Sequence, residues 1–187
     1  MKKILMGAAA FCCILLSGVT LSACSSSDDD DNKPVADDKP ATVEMNYSAT
    51  VTDDMLAYFD ISVEYYDSVG KIKTEAITSK EWKKTVKASL PAKLGIRTSA
   101  KIKEGKDPSS LQTMKVARGK GYLYKVLTAH GGVLDFYEYN TKGDSSISGA
   151  KVKDWLERRN GVLADFLYQF TTDGKHAEEV WPETNFL

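Results

Sequence analysis

From Val43 onward the chain alternates apolar and polar residues one for one. Val43, Met45, Tyr47, Ala49 and Val51 are interleaved with Glu44, Asn46, Ser48 and Thr50. A period of two places one face of a strand in a core and the other in water. Thr52-Asp53-Asp54 interrupts the run. Met55, Ala57, Phe59, Ile61, Val63 and Tyr65 then alternate with Tyr58, Asp60, Ser62 and Glu64, so the two runs are expected to pair as an antiparallel hairpin. The turn Ser68-Val69-Gly70-Lys71 leads to a strand over 72–77. Residues 79–86 could start as a helix capped by Ser79, but Thr85, Val86 and the flanking runs favour a strand around Trp82.

The alternation returns over 93–103. Leu94, Ile96, Ala100 and Ile102 point one way, and Lys93, Arg97, Lys101 and Lys103 the other. Residues 104–120, with Asp107-Pro108 as a turn signal, read as a long loop. Two strands over 122–129 and 133–140 flank His130-Gly131-Gly132 as a second hairpin. Only 150–160 breaks the pattern. Val152, Trp155, Leu156 and Arg159 fall on one helical face, Ser148 is a candidate cap, and Asn160-Gly161 is a left-handed stop. Alternation resumes through Val162, Ala164, Phe166, Tyr168 and Phe170. Thr172-Asp173-Gly174-Lys175 then predicts a tight two-residue turn into 176–181.

Eight or nine strands with one short helix define a mainly β fold. Antiparallel sheets with one buried face each must pack on one another or close on themselves. The favoured reading is an antiparallel two-sheet sandwich, immunoglobulin-like in layout. The alternative is a lipocalin-like up-and-down barrel; strand order would separate the two.

The amino terminus has a different texture. Lys2 and Lys3 precede an apolar run from Ile4 to Leu21, which ends in Leu21-Ser22-Ala23-Cys24. Small residues before a cysteine, closing a short hydrophobic core and followed by a polar run, resemble the lipobox of bacterial lipoproteins. The resemblance implies cleavage before Cys24, diacylglycerol on its sulfur and a fatty acid on the new amino group. The run is marginal for a span of roughly 20 residues. Residues 1–23 are thus expected to be a cleaved signal peptide. Cys12 and Cys13 leave with it and Cys24 carries lipid, so the domain has no thiol chemistry and no disulfide.

Residues 24–40 contain Ser, Asp, Lys, Asn, Pro, Val and Ala after the cysteine, with no aromatic ring. Such a segment cannot bury enough surface to offset its ordering entropy, and it reads as a disordered acidic spacer. A flexible spacer of this length reaches roughly 24 Å. Its start, Ser27, Asp28, Asp29, Asp30 and Asp31, looks like the surface-export signal of Bacteroidota lipoproteins. That resemblance implies a lipid-anchored protein of the outer membrane, facing the cell surface. Residues 41–187 form one β-rich domain, whose texture resembles uncharacterised Bacteroidota lipoproteins.

Charge is segregated along that domain. Residues 41–70 hold six acids and no Lys or Arg, whereas 71–120 hold fourteen basic residues against four acids. Residues 121–187 return to ten acids against seven basic residues, so the domain is close to neutral. One explanation is internal compensation, with Asp60 and Glu64 across from Lys93, Arg97 or Lys101. The other is an outward basic stripe of Lys93, Arg97, Lys101 and Lys103 that takes acidic glycans or lipid phosphates. Near-neutrality and the absence of a recognition motif argue against nucleic acid.

Catalytic signatures are missing from the sequence. It has two histidines, His130 and His176, both beside turns, and no nucleophile elbow, zincin helix, phosphate loop or dinucleotide fingerprint. Asp135, Glu138, Glu178 and Glu179 could supply a carboxylate pair, but spacing in sequence does not decide whether two of them face each other across one cleft. No catalytic residue, metal ligand or cofactor is assigned. Tyrosines are abundant, and Tyr122/Tyr124 and Tyr137/Tyr139 each share a strand face; tyrosine suits half-buried strands and their edges, the favoured account, whereas rings exposed on a sheet face can stack on sugars or partner side chains. The expected function is a non-catalytic module that binds a glycan or an envelope protein. Alternatives are a lipocalin-like carrier of a small apolar ligand and, last, a glycan-active hydrolase.

Overall fold

The computed structural model describes residues 39–117, 119–141 and 143–182. All of them belong to one compact unit, residues 35–187. Cys24 and the run from Ser27 to Asp31 lie outside the described residues.

The fold is mainly β, with strands in three antiparallel sheets. The first sheet contains β1 (Pro40–Thr50), β4 (Glu81–Ser89), β7 (Lys120–Thr128) and β8 (Val133–Thr141), in the order β4-β1-β7-β8. The second contains β2 (Phe59–Tyr66), β3 (Ile72–Ala76), β5 (Ala92–Ile102), β10 (Val162–Phe170) and β11 (His176–Glu178), in the order β11-β10-β5-β2-β3. A small ribbon pairs β6 (Thr113–Ala117) with β9 (Asp144–Ser148).

Alternation dictates how the two large sheets meet. Val43, Met45, Tyr47 and Ala49 of β1 are all buried, as are Phe59, Ile61, Val63 and Tyr65 of β2 and Leu94 and Ile96 of β5. Rings cross the interface between the sheets. Tyr47 lies 6.5 Å from Tyr65 and 6.1 Å from Phe166, and Tyr122 lies 4.3 Å from Phe166. This is a sandwich, and among the described residues the sheets do not join into a closed barrel. The lipocalin-like architecture is therefore set aside.

Several local expectations need correction. β1 and β2 do not form a hairpin; they lie in different sheets. Between them Thr52 caps a single helical turn, α1 (Asp53–Tyr58), its Oγ1 accepting from Met55 N at 3.1 Å. Asp53 and Asp54 complement the helix start, so the polar triplet that looks like a turn begins a helix. Met55 therefore belongs to the helix, and the strand starts at Phe59. The region 104–120 is not all loop. It contains β6, whose Met114 and Val116 are fully buried, and β6 docks on α1 through Lys115 N donating to Asp54 Oδ2 at 2.7 Å. The predicted helix appears as α2 (Val152–Glu157), after a 3-10 turn over Gly149–Lys151. Ser148 precedes that turn without a capping hydrogen bond from its side chain. Asn160 and Gly161 adopt φ of 50° and 75°, the left-handed stop expected of them.

Candidate functional site

β7 and β10 face each other across the sandwich, and each carries aromatic residues at successive inward positions. On β7 these are Tyr122 and Tyr124; on β10 they are Phe166, Tyr168 and Phe170. β8, paired with β7, adds Tyr137 opposite Tyr124 and Tyr139 opposite Tyr122. β11, paired with β10, adds His176 opposite Phe170 and Glu178 opposite Tyr168. The edge strands β8 and β11 leave the cluster open on one side. Tyr137 keeps 48% of its surface and His176 and Glu178 are exposed, whereas Tyr122 and Tyr124 are buried.

The hydroxyls of this bay are tied together. Tyr122 and Tyr168 join hydroxyl to hydroxyl at 2.6 Å across the two sheets. Tyr124 Oη lies 3.3 Å from His176 Nδ1 and 3.5 Å from Asp135 Oδ2. Tyr122 and Tyr139 stack at 5.5 Å with an interplanar angle of 22°, and Tyr124 and Tyr137 sit 6.1 Å apart. Burial pushes the Tyr124 phenol up to about 12, helped by the negative charge of Asp135. Burial and the bond to Tyr168 push the Tyr122 phenol upward as well. Both stay protonated at neutral pH, so they act as hydrogen-bond donors rather than bases. An open recess of about 500 Å³ adjoins the bay, with Val126, Leu134, Asp135, Lys175 and His176 in its wall.

The arrangement offers ring faces, hydroxyls and acidic acceptors at the surface. Of the four carboxylates the sequence made available, two lie at the bay and two do not. Asp135 faces the bay and Glu178 lies on β11 beside it, but Glu138 alternates to the opposite face of β8. Glu179 leaves altogether, pairing with Lys93 at 2.6 Å. Among the described residues no group of three or more His, Cys, Asp or Glu could hold a metal ion. His130 sits exposed at the tip of the β7–β8 hairpin, away from His176.

The four cations of the basic stripe meet different fates. Lys93 is held by Glu179. Arg97 is 9% exposed, pairs with Asp165 at 3.1 Å and lies under the Trp181 ring, 5.5 Å from its centre. Lys103, just past β5, donates its Nζ to Leu56 O at 2.7 Å. Lys101 is exposed, with Asp60 directly opposite on β2, and Glu64 is opposite Arg97. This register matches the compensating arrangement more closely than a row of outward charges.

Tyr122, Tyr124, Tyr137 and Tyr139 were legible as same-face pairs. The convergence of Phe166, Tyr168, Phe170 and His176 on them was not, because alternation assigns a face and says nothing about which strand faces which. No known family model matches the chain, and no curated protein matches it.

Proposed function

We propose that this chain is a lipid-anchored lipoprotein of the outer membrane, exposed at the cell surface, that binds glycans without catalysis through the tyrosine bay. The observation that carries the binding reading is the open aromatic cluster, with Tyr137 exposed and hydroxyl and carboxylate groups at its rim. Sugar rings present apolar C–H faces that stack on aromatic rings, and their hydroxyls donate hydrogen bonds to carboxylates such as Asp135 and Glu178 and exchange them with the Tyr168 hydroxyl. The membrane reading rests on the lipobox at Cys24 and the acidic run from Asp28 to Asp31. No described helix is long and apolar enough to cross a membrane.

Two measurements test the proposal. Residues 35–187 are applied to a glycan array beside the Tyr137→Ala/Tyr139→Ala variant. The wild type should retain a defined set of glycans that the variant loses at least tenfold. Retention of no glycan, or equal retention by both, overturns the binding reading. Mass spectrometry of the native protein should find Cys24 acylated at the mature terminus; a free thiol or an intact leader overturns the anchor.

A further inference from the structure

Sheet edges carry unpaired backbone N–H and C=O groups, and proteins usually protect them with lysines, prolines or brevity. Three of the four edges of the large sheets follow that rule. β11 has three residues, β3 has five with Lys73 among them, and β4 carries Lys83, Lys84 and Lys87. β8 departs from it. This strand has nine residues, pairs with β7 alone among the described residues, and has no basic residue or proline. It exposes Val133, Leu134, Phe136 and Tyr137, with Phe136 at 66%, and it carries Asp135 and Glu138.

The unprotected acidic edge and the basic edge bound the same sheet. β4 also has nine residues. Each neighbouring pair in the order β4-β1-β7-β8 is antiparallel, so β8 runs opposite to β4. A second copy moved sideways along the sheet therefore sets its β4 antiparallel against β8. Alternation restricts the register, because inward Tyr137 and Tyr139 must lie beside inward Trp82, Lys84 and Val86. One such register places Glu138 opposite Lys83 of the second copy and Tyr139 opposite Trp82 of the second copy. Lys83 now rests on Glu81 at 3.0 Å, an exposed pair that exchanges readily.

We infer that β8 is an interaction edge for β4 of a second copy, joined by backbone pairing and by Glu138 to Lys83. The contact is head-to-tail, so each added copy presents a fresh β8, and growth is open-ended rather than closed at a dimer. Pairing β8 with β8 of a second copy would instead gather four carboxylates and no cation on one two-stranded ribbon. The inference rests on neither glycan binding nor the lipid anchor, and its test leaves the bay tyrosines unchanged, although Tyr137 and Tyr139 border both the bay and the proposed contact.

Residues 35–187, which hold their own core, are followed by sedimentation velocity at rising concentration in low salt. The expected result is mass growth past the dimer, weakened by added salt. Glu138→Lys and Lys83→Glu should each weaken association at least tenfold. Both side chains are exposed, and circular dichroism checks that each variant stays folded. The double variant, and an equimolar mixture of the two single variants, should recover association because every contact again joins opposite charges. A wild type that stays monomeric at all concentrations overturns the inference. So does a dimer that ignores Lys83→Glu, the signature of β8 pairing with itself, and so does failure of the mixture to recover.

Discussion

Asp67, Thr128 and Thr171 occupy equivalent places at three hairpin ends. In each, the first residue's C=O accepts from a glycine N–H three residues on, and its N–H donates to the residue after that glycine. The glycines, Gly70, Gly131 and Gly174, have φ of 75°, 86° and 77°. This is the three-residue loop in which a type I turn ends in a left-handed bulge residue. The side chain of the first residue locks it. Asp67 Oδ1 accepts from Val69 N and Lys71 N, and Thr128 Oγ1 accepts from Gly132 N. Asp173-Gly174 therefore closes a loop one residue longer than the two-residue turn expected of it. Nothing lies within 4 Å of where a Cβ on Gly70 would sit, so a substitution there reads backbone strain alone. Gly70→Ala should cost about 1–2 kcal/mol in urea denaturation, and Gly70→Asn distinctly less. The turns were legible as turns, because Gly and Asp punctuate the pattern. Their type was not, because it depends on side-chain locks that no local spacing announces.

At the scale of elements, β3 of one sheet is fastened to β4 of the other by a single carboxylate. Glu75 Oε1 accepts from Lys84 Nζ and from Tyr65 Oη, each at 2.7 Å, while Oε2 accepts from Trp82 Nε1 at 3.0 Å. Lys84, then Trp82 and Tyr65, lower the Glu75 carboxyl from 4.5 to about 2. A depressed carboxyl stabilises the fold fully above its unfolded value and loses that contribution as pH falls through its folded value. The Glu75 contribution should therefore be intact above about pH 4.5 and fade toward pH 2. Asp67, Asp107 and Asp173 are lowered too, so the informative quantity is wild type minus Glu75→Gln. That difference in urea midpoint should shrink steadily between pH 5 and pH 2; a constant difference would contradict the clasp. Elements with long alternation, β1, β5 and β10, were legible from their own residues. β6 and β9 were not, since each has five residues and is rich in Ser, Thr or Lys. α1 was masked because Met55 and Phe59, four apart, satisfy a strand face and a helix face alike.

For the whole molecule, the outer wall of the second sheet is finished by the segment that follows β11. Glu179 N donates to Leu167 O at 2.9 Å, Glu179 holds Lys93, and Trp181 packs edge-on against Tyr66 at 5.3 Å. Trp181 is 3% exposed and covers the Arg97–Asp165 pair. Trp181→Ala should cost about 3–5 kcal/mol, measured by circular dichroism in urea. A loss under about 1 kcal/mol would show that the strap is an ornament rather than part of the core. This closure explains why the basic stripe was misleading as a sequence feature: an outward-facing arginine becomes buried when a distant tryptophan lies over it. The sandwich itself was legible, because period-two segments with one greasy face admit few other solutions. The pairing order was not, since chain neighbours such as β1 and β2 end up in opposite sheets.

Chain order gives the strap a temporal consequence. An exported polypeptide can pair β2, β5 and β10 before residues 179–182 dock on them. During that interval Tyr66 and the Arg97–Asp165 pair lack the Trp181 ring that covers them, leaving an open wall on an otherwise finished sheet. A holding chaperone would find its grip there, and would be displaced from it as Trp181 arrives.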